Sequence, residues 1–193
     1  MHLNRMVAQG THTFQVTSFC LDDVQVGKGQ WQWLGRVLPT LNNLKELALT
    51  RVRMSDDLCA QIFSAAATSR YNYSHVDSVC HSLAGNEQLR LETLDLSGNA
   101  LTFKSANHLG KFFLIQMETL KHVSLRNNQF RDHGAQLLGV YLRKLAPRGR
   151  TTNNKKRRSS PQQFARDAMK MGLTSLSFED NGCTPKGVAE LLM

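Results

Sequence analysis

The sequence predicts an α/β solenoid: about five β-α repeats stacked into a curve, with a parallel sheet on the concave face and helices on the convex face. Two observations predict it. Aliphatic residues recur in the pattern L-x-x-L-x-L at Val16/Phe19/Leu21, Leu44/Leu47/Leu49, Leu91/Leu94/Leu96, Leu120/Val123/Leu125 and Leu173/Leu176/Phe178, and apolar residues at helical spacing follow each one. Val16 to Leu44 is 28 residues and Leu91 to Leu120 is 29, which leaves room for a strand, a turn and a true helix rather than a 3₁₀ turn. A unit of that size covers its apolar side only against a neighbour, so residues 1–193 are expected to form one domain.

Within a unit, side chains alternate across the strand. Leu94 and Leu96 therefore share the helix side, whereas Thr93, Asp95 and Ser97 point the other way. Burying each leucine contributes roughly 1.5–3 kcal/mol once the next repeat covers it. After the strands come Asn99, Asn128 and Asn181, each two residues before an apolar residue or cysteine. An inward-turned amide satisfies backbone N–H and C=O groups at the turn from strand to helix, and stacked repeats make the amides a ladder. Val24 and Val52 hold that place in the first two repeats, so the ladder is expected to begin at the third.

The segments LETLDLSGNAL, LKHVSLRNNQFRDHGAQLL and LTSLSFEDNGCTPKGVAELL resemble the ribonuclease-inhibitor type of leucine-rich repeat, the type found in NOD-like receptors and the Ran GTPase-activating protein. The resemblance covers 91–145 and 173–193 best, then 44–63, and least 16–38. It implies a curved leucine-rich repeat solenoid that offers surface to other proteins.

The helical halves agree with this reading. Thr184-Pro185 reads as a cap with proline at the first helical position, followed by a stripe of Val188, Leu191 and Leu192. In the first repeat Trp31, Leu34 and Leu38 share one side with Trp33 at its edge; both tryptophans are expected in the core or at the solenoid end, the alternative being an exposed Trp33 that anchors a partner.

Two spacings break the period: Leu44 to Leu91 is 47 residues and Leu120 to Leu173 is 53. Each holds an insertion between a helix and the next strand, so both are expected on one rim. The first, about 66–86, is mixed in composition. Ser74-His75-Val76-Asp77 has the form of a capping box, and Val76, Val79, Cys80 and Leu83 recur at helical spacing up to Gly85, which predicts a loop and then a short helix. His75, Asp77, Cys80 and His81 lack any metal-ligand spacing, so no metal is expected.

The second insertion, about 146–170, carries the charge. Arg143, Lys144, Arg148, Arg150, Lys155, Lys156, Arg157 and Arg158 fall within sixteen residues, with no acid between Asp132 and Asp167, in a chain of net charge +9. Gly, Thr, Asn, Ser and Pro among the charges predict disorder over 148–160, and Ser160-Pro161 reads as the start of a short helix with Phe164, Ala168 and Met171. Such a run is a solubilising tail, a nuclear-import signal at Lys155–Arg158, or a docking segment for a polyanion such as RNA, DNA, a ribosome or an acidic protein surface. No aromatic residue lies among the charges, so nucleic-acid contact would be phosphate-directed without base readout. Ser159 and Ser160 are candidate phosphorylation sites, where each phosphate would add about −1.5 to −2 of charge.

The inner sheet surface is a second candidate site. It is expected to project Ser18, Cys20 and Asp22; Glu46, Ala48 and Thr50; Thr93, Asp95 and Ser97; His122, Ser124 and Arg126; and Ser175, Ser177 and Glu179. These are mostly small and polar, with acids outnumbering Arg126, so another protein can approach the strands closely and a basic partner is favoured.

Catalysis finds little support. Gly27-Lys28-Gly29 is no P-loop and no G-x-S-x-G elbow occurs. The resemblance to the Ran GTPase-activating protein supplies the one enzyme-class alternative, a GTPase regulator acting through loop arginines such as Arg51, Arg53, Arg126 or Arg131, although the chain lacks that family's acidic tail. No cofactor or small-molecule substrate is expected. Cysteines 20, 59, 80 and 183 show no paired framework, and no stretch nears 20 apolar residues. A cytoplasmic or nuclear, membrane-free location therefore fits, Asn72-Tyr73-Ser74 notwithstanding. A mitochondrial presequence is the alternative, since Arg5 and no acid occur in the first 21 residues, but that stretch is poor in arginine. The expected role is a non-enzymatic interaction module, a subunit or adaptor of a larger assembly.

Overall fold

The computed structural model describes residues 15–63, 83–86, 88–145 and 173–192. Among them, strands β1 (Ser18–Asp22), β2 (Glu46–Thr50), β3 (Thr93–Asp95), β4 (His122–Ser124) and β5 (Ser175–Ser177) form a parallel sheet in chain order. Helices α1 (Lys28–Val37), α2 (Asp56–Phe63), α3 (Phe103–Ile115), α4 (Arg131–Leu145) and α5 (Pro185–Leu192) follow the strands in turn. Neighbouring strands pair without crossover, so the chain advances one β-α unit at a time, as the repeat pattern requires. The architecture is the α/β solenoid that the leucine spacing predicts.

Register follows the leucines. Phe19, Leu47, Leu94, Val123 and Leu176 lie side by side on the five strands, so even the first segment, whose pattern is weakest, joins in phase. On the three inner strands these side chains are fully buried, whereas Phe19 and Leu176 on the edge strands are half-buried. Trp31 and Leu34 of α1 complete the core, and Trp33 packs against its edge rather than standing free.

The asparagine ladder is present and starts at the third repeat. Asn99 donates from Nδ2 to the Leu96 carbonyl at 2.9 Å and to the Leu49 carbonyl of the preceding repeat at 2.7 Å, while its Oδ1 accepts from Met54 N–H at 2.9 Å. Asn128 repeats this with Leu125, Leu96 and Leu101, and Asn181 with Phe178, Leu125 and Phe130. All three are buried, and Val52 takes the same place without an amide. The residue before each ladder position lies in the left-handed region: Asp23, Arg51, Gly98, Asn127 and Asp180 have φ of 51° to 70°. This tight turn re-aims the chain from strand to ladder. Only Gly98 enters it without a Cβ penalty.

A second set of cross-repeat bonds had no signature in the leucine pattern. Asp56, at the first position of α2, accepts from the Thr102 N–H at 2.8 Å and from the Thr102 and Ser105 hydroxyls at the start of α3. Asp132 does the same for Thr184 N–H and Oγ1, both at 2.7 Å. A carboxylate at a helix N-terminus is also favoured by the helix dipole, so each aspartate serves its own helix and the next. Between them, α3 meets α4 through close approach: a Cβ on Gly110 would lie 2.2 Å from the Tyr141 ring.

Several expectations fall on residues outside the description: the disorder over 148–160, cations Arg148, Arg150, Lys155, Lys156, Arg157 and Arg158, serines Ser159 and Ser160, the helix expected after Ser160, and most of the first insertion. Of the last, Leu83–Gly85 is described and forms a 3₁₀ turn with Leu83 buried. The grouping of two cations with the basic loop needs correction. Arg143 and Lys144 are not loop residues but belong to α4, which runs to Leu145 because Leu138 and Leu142 keep its apolar stripe on the core.

Candidate protein-binding surface

The parallel register converts the outward strand positions into three rows. Ser18, Glu46, Thr93, His122 and Ser175 form the first, and Cys20, Ala48, Asp95, Ser124 and Ser177 the second. Two residues further along lie Asp22, Thr50, Ser97, Arg126 and Glu179, the first two of which pair directly. Every one of these side chains is exposed or half-buried. The floor is shallow, because its central positions are Ala48, Asp95, Ser97, Ser124 and Ser177, and no aromatic residue stands on it.

Polar contacts tie the rows together. In the third row Asp22 receives the Thr50 hydroxyl and the Arg51 guanidinium, and Arg126 Nε lies 3.3 Å from Glu179 Oε2. At the centre the Asp95 carboxylate accepts from Ser97 N–H at 2.9 Å and from its hydroxyl, and Ser97 Oγ lies 2.7 Å from Ser124 Oγ on the next strand. In the first row the exposed His122 has its Nδ1 2.9 Å from Ser175 Oγ and 3.3 Å from Thr174 Oγ1. The side chains are thus held in place before a partner arrives.

These pairings modify the electrostatic expectation. Of the four acids on the surface, Asp22 and Glu179 are matched by arginines and Asp95 by serine donors, which leaves Glu46 as the one of these four whose carboxylate has neither an ion pair nor a hydrogen bond among the described residues. The surface is closer to neutral than the sequence count implies, because Arg51 reaches back across the sheet from a turn position. Exposed ion pairs of this kind contribute about 0–1 kcal/mol, so their role is positional. At the margin of the face, Glu92 bridges Lys121 at 2.6 Å and Lys45 at 3.3 Å, and those hydrogen bonds, Lys121 first, hold its carboxyl below the usual range.

The other candidates are placed as follows. Arg51 and Arg53 sit in left-handed turn positions after β2, and Arg131 is the first residue of α4. Arg143 is exposed on α4 and donates to the Glu190 carbonyl at 3.0 Å, which ties α4 to the last turn of α5. Lys144 lies beside it in the same helix. Burial pushes the Cys59 thiol up to about 12 and raises Cys183 as well, whereas Cys20 is exposed on the middle row. Among the described residues no three His, Cys, Asp or Glu side chains gather as a metal-binding group, and no helix is long and apolar enough to cross a membrane.

Comparison with known proteins adds two matches, both to leucine-rich repeats. Residues 90–112 match the family described as Leucine Rich Repeat, and residues 116–139 match a second described as Leucine Rich repeat. They fall on the third and fourth units, where the leucines, the asparagines and the turn geometry are all present. No curated protein matches the chain. Sheet, register and matched repeats together define a leucine-rich repeat solenoid, a class that generally binds other proteins.

Proposed function

We propose that this chain is a non-enzymatic interaction module, a subunit or adaptor of a larger intracellular assembly, whose concave sheet face receives another protein. The observation that carries this reading is the three in-register rows of small polar side chains, preordered by the Asp95–Ser97–Ser124 and His122–Ser175 contacts. A floor without large side chains lets a partner come close to the strands and supply the bulky residues itself. Repeat lengths of 28 and 29 with a full helix in each unit support the ribonuclease-inhibitor type within this class. A reducing compartment, cytoplasmic or nuclear, suits four cysteines without a paired framework.

A second reading is favoured by the cluster of eight cations over residues 143–158, which suits a polyanion such as RNA, DNA or an acidic protein surface. One experiment separates the two. Partner capture by the full chain is compared with capture by Glu46→Lys/Asp95→Lys and by a deletion of 148–160. The concave reading expects the double reversal to abolish capture and the deletion to leave it intact. The opposite pattern, joined by a log-log salt slope near −3.6 for about four phosphates on duplex DNA, establishes the basic segment instead.

A further inference from the structure

We propose that Asn181-Gly182 is a self-modifying site, at which water converts one rung of the asparagine ladder into aspartate or isoaspartate. The chemistry needs no enzyme, and it does not rest on the role given to the concave face. Three observations single out this pair.

The first is the residue that follows. Asn181-Gly182 is the one Asn-Gly pair in the sequence, whereas Ala100 follows Asn99 and Gln129 follows Asn128. A side-chain amide is lost when the next backbone nitrogen attacks its carbonyl carbon, and a Cβ on that next residue obstructs the approach. Glycine has none. The fold itself favours glycine here, since Gly182 has φ of 65°.

The second is the attacking nitrogen. The Ala100 N–H donates to the Met54 carbonyl at 3.3 Å and the Gln129 N–H to the Leu101 carbonyl at 2.8 Å. By the same pattern the Gly182 N–H would meet the Phe130 carbonyl, but that oxygen accepts from Gly134 N–H, and among the described residues the Gly182 N–H has no acceptor. Gly182 is also exposed, so hydroxide can reach its proton. The third observation is the slackness of the rung. Asn181 Oδ1 accepts from Phe130 N–H at 3.5 Å, against 2.9 Å and 3.2 Å for the corresponding bonds of Asn99 and Asn128.

The atoms balance with water as the co-reactant. Hydroxide takes the Gly182 amide proton, the nitrogen bonds to Asn181 Cγ, the Cγ–Nδ2 bond breaks, and Nδ2 leaves as ammonia with a proton from water. Water then adds to either carbonyl of the cyclic imide and opens it to aspartate or isoaspartate. The departing Nδ2 is the atom that donates to the Leu125, Phe178 and Glu179 carbonyls at 2.9, 2.8 and 3.2 Å, in a residue 2% exposed. Those three bonds must break first, so the reaction waits for a local opening of the rung. The product cannot remake them. A carboxylate then faces three carbonyl oxygens, which loosens the fifth repeat from the fourth.

The test holds the full chain in mildly alkaline heavy-oxygen water and follows each asparagine by peptide mass spectrometry, with a sample in denaturing urea as the reference. The proposal expects heavy oxygen at residue 181 at least about tenfold sooner than at 99 or 128, and about ten- to hundredfold later than in urea. Gly182→Asn, which tolerates the left-handed turn but restores a Cβ, should slow conversion at Asn181, and Asn181→Asp should lose amide-exchange protection at Ser175–Phe178 while α3 keeps its own. Equal rates at the three rungs overturn the proposal, as does a folded chain that converts as fast as the unfolded one. So does Asn181 still intact when even a hundredfold slowing would have converted half of it, an unchanged rate in Gly182→Asn, or full exchange protection in Asn181→Asp.

Discussion

Replacing Asn128 with leucine isolates the contribution of the ladder, because its neighbours cover part of the damage. Asn128 donates to the carbonyls of Leu96, Leu125 and Arg126 and accepts from Leu101 N–H at 3.2 Å. Three of these groups keep another partner: the Leu96 carbonyl is still bonded by Asn99, the Leu125 carbonyl by Asn181, and the Arg126 carbonyl by Gly98 N–H. Leu101 N–H keeps none and is buried. Its orphaning costs about 1–3 kcal/mol, and the three lost donations add a fraction of about 0.5–1.5 kcal/mol each, so a total near 3 kcal/mol is expected. With a urea slope of about 2 kcal/mol/M, the midpoint falls by about 1.5 M at unchanged slope. Asn181→Leu should cost less, since the N–H it serves is the more distant Phe130 N–H at 3.5 Å. Denaturation followed by far-ultraviolet circular dichroism measures both. An Asn128→Leu variant within about 0.5 kcal/mol of the parent, or one less damaging than Asn181→Leu, refutes the reasoning.

Other outcomes follow from single contacts. Burial lowers the His108 pKa, and its buried Nδ1 has no hydrogen-bond partner among the described residues, so the unfolded chain takes the proton first. Stability should then decline as pH falls through about 6.5, and His108→Phe should remove that step. Burial works to raise Asp56, but hydrogen bonds from Ser105 and Thr102 outweigh it and lower its pKa. Its contribution is therefore present above about pH 4 and lost as pH falls through the depressed value, a second, more acidic step absent from Asp56→Asn. Gly110→Ala drives a methyl into the Tyr141 ring and should cost about 1–3 kcal/mol, relieved when Tyr141 is shortened to leucine in a double-mutant cycle. Cys20 should react with a thiol reagent in the native protein, whereas Cys59, with its thiol near 12, should react only on unfolding; fast native labelling of Cys59 contradicts its burial.

Much of this was legible in the sequence because a solenoid repeats its physics. Leucines at two-residue spacing fix which side of each strand is buried, so the three polar rows could be written down before any coordinates. The asparagines likewise declare their role, since no apolar residue answers four backbone groups at once. What could not be read was whatever links one repeat to another by side-chain reach. Arg51 pairs with Asp22 across 29 positions, and the Asp56–Thr102 and Asp132–Thr184 bonds span 46 and 52. Nothing local to any of these residues signals its partner. Arg143 and Lys144 were grouped with the basic loop for a related reason: their charge continues the run that follows, but they lie in α4, whose residue Leu142 is buried.

The claim that the concave face is the contact surface is tested most directly by site-directed photocross-linking. A photoreactive group attached at Cys20, or at cysteine introduced for Ser124 with Cys20 removed, stands on the middle row; one at Lys111→Cys stands on the exposed side of α3. The account expects a common partner to be captured from both concave positions and not from Lys111→Cys. Capture from the helical position alone would contradict it.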